Sequence, residues 1–265
     1  MLPPGKSSNP ASSEAKKYPS RTKMRHPRKL AVWIAEVLDA LEGYWHNEET
    51  PPDFQHSEPL DGLILTVLSQ HTNDRNRDVA FARLKERYPT WEEAVDAGYA
   101  ALEEAIRPAG LAPTKAGRIL EILNVVREDF GGYSLLSLTE RGRDEARKYL
   151  LSLPGVGEKT TACVLVFDMR LPAFPVDTHV ARFCQRVGFV PEKPPADEIC
   201  RIMEREIEPR RYLGGHVNII EHGRAICKAR APLCRTCPVS ALCAFFYRRQ
   251  TGAVTENVRK IERNA

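Results

Sequence analysis

The sequence predicts an all-α protein, on three observations. Apolar residues recur at helical spacing through most of the 265 residues, Pro and Gly rather than hairpin turns break the pattern, and no segment alternates apolar and polar residues as a half-buried strand does. A hydrophobic fraction of 42% over this length is enough for one or two compact domains with a real core. No apolar run approaches the roughly 20 residues that cross a bilayer, and the N-terminus lacks the apolar stretch of a secretory signal. The chain is therefore expected to be soluble and intracellular, with no membrane partner.

The first 30 residues carry eight Lys or Arg against one acid, Glu14, among Pro, Ser and Asn. That is the composition of a disordered basic arm over 1–29. It reads either as a source of sequence-independent phosphate contacts or as a solvated tail. The net charge of +4 is modest and by itself says little about partners.

Leu30, Trp33, Ile34, Val37, Leu38 and Leu41 then share one face of a helix that stops before Pro51-Pro52. A second apolar helix covers Leu60 to Leu68, and a third carries Val79, Leu84 and Tyr88. Thr90-Trp91-Glu92-Glu93 has the spacing of a capping box and opens a fourth. Helical patterns follow at Ala101–Ile106 and at Thr114–Phe130, the latter closed by Gly131-Gly132. The pattern returns from Asp144 to Leu151, breaks at Pro154-Gly155-Val156-Gly157, and resumes from Glu158 to about Met169. Later helices are placed at Asp177–Val187, Ala196–Ile207 and Val217–Cys227, and the last residues, 248–265, read as a frayed basic tail.

Seven cysteines in an intracellular chain direct attention to metal or catalysis rather than to disulfides. Cys227, Cys234, Cys237 and Cys243 form a Cys-x6-Cys-x2-Cys-x5-Cys run, four soft thiolates that can wrap one compact centre. Spacing alone leaves zinc and an iron–sulfur cluster both open, although structural zinc usually pairs two short knuckles and only one is present. Cys163, Cys184 and Cys200 lie in helical patterns and are read as core residues.

The break at Leu153-Pro154-Gly155-Val156-Gly157 has a physical logic of its own. Glycine allows tight backbone geometry, and the helix that follows begins with amides free to hold a phosphate. Lys159 sits in that helix's first turn, and Pro175-Val176-Asp177-Thr178-His179 follows, with Asp177 18 residues after the lysine. In these two motifs together the chain resembles the helix-hairpin-helix DNA glycosylases of the endonuclease III family. His222-Gly223-Arg224 before Cys227 extends the resemblance, which runs from about Leu30 to Cys243.

The resemblance implies a two-domain helix-hairpin-helix DNA glycosylase fold. A helical barrel over 52–171 carries the hairpin, and residues 30–51 with 172–247 form an iron–sulfur cluster helical domain. It implies a [4Fe–4S] cluster on Cys227, Cys234, Cys237 and Cys243, with Lys228, Arg230 and Arg235 beside it facing DNA phosphates. The implied partner is double-stranded DNA with a damaged base or abasic site, bound by a monomer, in the cytoplasm or at the nucleoid. Gly155, Val156 and Gly157 would contact the backbone, Leu111 matches an intercalating leucine, and His71 stands where relatives place a gap-filling glutamine.

Chemistry on a base requires its extrusion from the stack. Lys159, as an unprotonated amine, is the implied nucleophile on the sugar C1′, leaving a Schiff base whose β-elimination nicks the strand. Asp177 would stabilise the developing positive charge and assist proton transfer. A lysine there separates lyases from the adenine-mismatch branch, which carries a small hydroxyl residue at that position.

Three departures bear on substrate: a surplus near Tyr133–Arg143, Ala112 in place of a tyrosine, and His71 in place of glutamine. Ala173–His179 with Arg186–Pro191 also resembles the plant methylcytosine glycosylases. Oxidised pyrimidines are the first expectation, and uracil or thymine in a mismatch the second. A non-catalytic DNA-damage-binding module and a DNA-associated electron-transfer protein are the alternatives outside this chemistry.

Overall fold

A computed structural model describes residues 29–47, 57–191 and 194–250, so nearly all of the basic arm and most of the basic tail lie outside the described residues. Among the described residues the regular structure is helical throughout, with no strand. None of these helices is long and apolar enough to cross a membrane.

Helix α1 (Leu30–Glu42) buries Trp33, Ile34, Val37, Leu38 and Leu41, the face read from the sequence. Helix α2 (Pro59–Ser69) buries Leu60, Gly62, Leu63, Ile64, Val67 and Leu68, so it is apolar nearly all round and lies inside the fold. Helix α3 (Asp74–Arg87) buries Ala80 and Leu84, whereas Val79, expected on its apolar face, is exposed. Helix α4 (Trp91–Ala105) starts on the expected capping box, with Glu93 N–H donating to Thr90 Oγ1 (3.2 Å) and Thr90 N–H donating to Glu93 Oε2 (3.1 Å). It is broken at Gly98 (φ 80°, ψ 177°), which accounts for the fresh helical pattern that the sequence shows at Ala101.

Helix α5 (Ala112–Phe130) ends on Gly131 in the left-handed region, whose N–H donates to Arg127 O (2.9 Å). The surplus segment that follows is built in rather than appended. It contains a short helix, α6 (Leu136–Glu140), that the sequence did not reveal, and it buries Leu135 and Leu138. The Glu58 carboxylate ties this segment to the start of α2, accepting from Leu60 N–H (3.1 Å), Leu135 N–H (2.9 Å) and Ser134 Oγ (2.8 Å).

Helix α7 (Arg143–Ser152) and helix α8 (Glu158–Cys163) form the hairpin, and α8 widens into a π-helical turn over Val164–Asp168. Such turns recur at functional sites. Gly155 takes φ 68°, as the tight turn requires, while Gly157 is extended, a conformation open to any residue.

The last helices are α9 (Thr178–Val187), α10 (Ala196–Glu206), α11 (Tyr212–Ala225) and α12 (Ala244–Gln250). Helix α11 begins earlier than its apolar pattern, because Gly214 and Gly215 interrupt the periodicity. Helix α12 reaches into the stretch expected to be tail, with the Phe245 ring against Arg186 and Arg249. Helix α1 packs on α10 and α11, and Trp33 Nε1 donates to Leu242 O (3.0 Å), so the N-terminal helix completes the C-terminal group. Helix α2 packs on α3, α5, α8 and the π turn, and α11 meets that same turn.

Candidate active site and cysteine centre

A cleft of about 670 Å³ runs between α2, α3 and α8 on one side and α9 and α11 on the other. Lys159 and Asp177 both line it, with Thr66, Ser69, Cys163, Phe167 and His216. Each candidate owes its place to local structure. Lys159 is the second residue of α8 and is exposed, and Cys163 lies one turn further along the same face. Burial pushes the Cys163 thiol up to about 11, so it enters the cleft wall as a neutral group.

Asp177 is the N-cap of α9. Its Oδ1 accepts from His179 N–H (2.9 Å) and Val180 N–H (2.8 Å), which leaves Oδ2 for the cleft. The N-cap and the cleft carboxylate are thus one group. His179 Nδ1 faces Arg182 Nη2 at 3.0 Å, and Gly223 is what lets α11 approach it, since a Cβ there would lie 3.0 Å from His179 Cβ. Burial lowers the pKa of His179 despite the opposing pull of Asp177.

The remaining predicted DNA contacts sit on neighbouring loops. Leu111 (φ 49°) and His71 (φ 53°) both adopt left-handed backbone, a costly conformation for a non-glycine residue, and both are exposed, Leu111 at 57%. Between them lies Lys115, 2% exposed, whose Nζ donates to Leu68 O (2.7 Å) and Ala109 O (2.9 Å). It thereby holds the ends of both loops. Gly155 lies under Arg118, whose Nε would be 1.9 Å from an added Cβ. Arg118 Nη1 also donates to Gln70 Oε1 (3.0 Å), and Gln70 Nε2 donates to Thr160 Oγ1 (3.4 Å), beside Lys159.

Two polar connections cross or flank the cleft. Arg224 pairs with Asp74 (2.7 Å), joining α11 to α3, and His46 Nε2 lies 3.0 Å from Glu221 Oε1. Lys115, Arg118, His46 and His216 escaped the sequence reading. Only tertiary placement distinguishes them from ordinary surface or core residues.

Cys227, Cys234, Cys237 and Cys243 follow α11 through two 3₁₀ turns, and none forms a disulfide. Arg186 of α9 braces the first loop, donating to Lys228 O (2.7 Å), Ala229 O (2.9 Å) and Cys227 Sγ (3.4 Å). His222 Nε2 lies 3.3 Å from Cys237 Sγ. Burial, with a smaller contribution from the neighbouring thiols, pushes Cys237 up to about 12 and raises Cys234 and Cys243. Three thiols whose ionisation burial disfavours, grouped with Cys227, are a set that metal binding would relieve, because a bound metal stabilises thiolates. Among the described residues no three His, Cys, Asp or Glu side chains converge on the point that a single ion would occupy. Cys163, Cys184 and Cys200 stand apart from this centre in helices, as expected, with Cys184 fully buried and Cys200 partly so.

Residues 64–209 match the model of the HhH-GPD superfamily base excision DNA repair proteins, and the chain belongs to that family. Among relatives, the endonuclease III of Thermotoga maritima is 36% identical over 212 residues, covering 79% of this chain and 94% of that one. Two solved structures share the fold over 83% of this chain and 98% of theirs. One is a non-covalent endonuclease III–DNA complex (TM-score 0.72, 28% identity), the other a trapped endonuclease III–DNA covalent intermediate (TM-score 0.71, 30% identity).

Proposed function

We propose that the chain is a bifunctional DNA glycosylase and abasic-site lyase of base excision repair, acting on damaged bases in duplex DNA. The observation that carries this reading is the presence of Lys159 and Asp177 in one cleft, on opposite walls. The unprotonated Lys159 amine attacks C1′ as the C1′–N bond to the base breaks, and the base leaves with the bonding electrons. Loss of a proton from nitrogen and opening of the sugar give the Schiff base, and β-elimination of the 3′ phosphate cuts the strand. Asp177 Oδ2 offsets the positive charge that grows on the sugar. Lys159 is exposed in the free chain, so water leaves its amine when DNA covers the cleft.

Gly155, Val156, Gly157 and the first amides of α8 offer a backbone-binding turn. Leu111 and His71 are suited to fill the gap left by the extruded nucleotide, because each already stands exposed on strained backbone. The four cysteines would hold a [4Fe–4S] cluster, which supplies no step of base removal and serves to fix the loops bearing Lys228, Arg230 and Arg235. The domain division that goes with this places 52–171 in the barrel and 30–51 with 172–247 around the cluster. Oxidised pyrimidines are the proposed lesions, and the work is intracellular, at the chromosome.

The test incubates protein with an abasic duplex in borohydride. A covalent adduct that disappears in Lys159→Ala is expected; tight binding without adduct or nick would make the chain a non-catalytic damage-binding module. A panel containing thymine glycol and uracil or thymine opposite guanine then ranks lesions, and preference for the mismatches would overturn the oxidised-pyrimidine assignment.

A further inference from the structure

We propose that His216 is a specificity-determining residue, presenting the Nε2 lone pair to a flipped base and so favouring pyrimidine-2,4-diones, which carry N3–H, over cytosine-derived lesions. The inference rests on the glycosylase reading above and deepens it.

His216 lies in the second turn of α11, 2% exposed, and still lines the cleft with Lys159 and Asp177. Its Nδ1 is 2.9 Å from Pro175 O, two residues before Asp177. A carbonyl oxygen can only accept, so Nδ1 carries the hydrogen and Nε2 is left as the acceptor of the neutral ring. The ring packs at steep angles to Phe167 (centroids 5.5 Å) and Phe174 (6.1 Å), and the bond to Pro175 O keeps Nδ1 turned inward. Among the described residues Nε2 has no hydrogen-bond partner, and because the ring lines the cleft with Nδ1 turned to Pro175, Nε2 opens on the cleft. Burial holds the ring well below the ordinary imidazole pKa, outweighing Asp177, and Lys159 and Arg224 add to the effect. The ring therefore stays neutral at the pH of repair.

A neutral acceptor in a water-poor wall discriminates by what it meets. Facing N3–H of a uracil- or thymine-type ring, Nε2 gains a hydrogen bond. Facing N3 of a cytosine-type ring, it meets a second lone pair and both remain unpaired, the arrangement that sites built for hydrogen bonding reject most strongly. Phe167, on the same wall, supplies an apolar surface beside it.

The experiment measures single-turnover excision of 5-hydroxyuracil and 5-hydroxycytosine opposite guanine by wild type, His216→Phe and His216→Gln. The two lesions differ in leaving ability, so the quantity read is the change in their rate ratio between proteins. Wild type should favour 5-hydroxyuracil, His216→Phe should narrow the ratio by roughly tenfold, and His216→Gln, which keeps an acceptor, should retain part of it. A substitution that merely loosens the fold slows both lesions alike, and an unchanged ratio overturns the proposal. A second arm needs no variant: wild type should remove 5,6-dihydrouracil roughly tenfold faster than its N3-methyl derivative, and equal rates would also overturn it. Borohydride trapping of wild type on abasic duplex runs alongside, so failure of the lyase reading shows there, while failure of the His216 assignment shows only in the ratios.

Discussion

Asp177 caps α9 with the same carboxylate that is proposed to serve the sugar, and the two roles can be separated by substitution. Oδ1 caps α9, and Oδ2 is available to the sugar. Asparagine caps a helix about as well as aspartate, whereas alanine forfeits about 1 kcal/mol. Asp177→Asn should therefore melt within a degree or two of wild type and yet lose about 10²- to 10⁴-fold in excision rate. Asp177→Ala should lose both, and equal melting temperatures for the two variants would remove the cap from the account. His216 gives the other residue-scale expectation. Its folded pKa, lowered to about 4 by burial, lies below the ordinary value of 6.5. The unfolded chain then binds a proton that the folded chain refuses as pH falls from 6.5 towards 4. Stability present above that window is lost across it, on the order of 3 kcal/mol. Urea midpoints measured against pH should show this acid slope, and His216→Asn should flatten it. Lys159 and Asp177 were legible from their motif, but His216 was not: a histidine among apolar residues on a helix looks the same whether it faces a core or a cleft.

At the scale of elements, helices with strong caps or long apolar faces were readable, and short or interrupted ones were not. The Thr90–Glu93 box and the Gly131 stop mark α4 and α5 by chemistry that needs no tertiary partner. Helix α6 is stabilised by the buried Leu135 and Leu138 and by Glu58, which lies 77 residues before Leu135, so its own sequence has no reason to announce it. The π turn after α8 is likewise a product of packing against α2 and α11. Helix α5 carries the sharpest expectation at this scale. Lys115 is buried, without a carboxylate among its hydrogen-bond partners, and its ammonium neutralises two carbonyls at the ends of α2 and the Ala109 turn. Those carbonyls have no helical partner of their own, and a cation is favoured there. Burial lowers the Lys115 pKa, while the two carbonyl acceptors favour the charged form. Lys115→Met should cost about 2–3 kcal/mol in urea unfolding, because it leaves both carbonyls unpaired. It should also slow base extrusion, followed by 2-aminopurine fluorescence, because the loops of His71 and Leu111 lose their common brace. Full stability in that variant would show that water replaces the lysine.

Across the whole molecule, two groups of helices meet over the cleft, and the question is what fixes their separation. The Asp74–Arg224 pair is about half exposed on both sides, and such pairs contribute about 0–1 kcal/mol. Packing contributes more: Phe167 and Phe174 close on His216, α11 lies on the π turn, and one continuous apolar core includes residues from Trp33 to Val239. The C-terminal group has a weaker side, because the regular structure of Cys227–Cys243 is two 3₁₀ turns braced by Arg186, and the proposed cluster would be its other support. Spacing could not choose between zinc and iron, since four thiolates suit both; the family resemblance made that choice. Metal analysis decides it directly. Native protein should carry about four irons and four acid-labile sulfides per chain, and one zinc without sulfide would refute the cluster. Chelation under reducing conditions should then lower the melting temperature by about 10 °C or more, since metal binding is folding free energy for such a loop. The loss should concentrate in α9, α11 and α12, read as faster amide exchange there, while α2 and α5, which pack chiefly on each other and on α3, α4 and α8, keep their protection. Uniform loss of protection would mean that the cluster supports the barrel as well, and that the two groups of helices unfold as one.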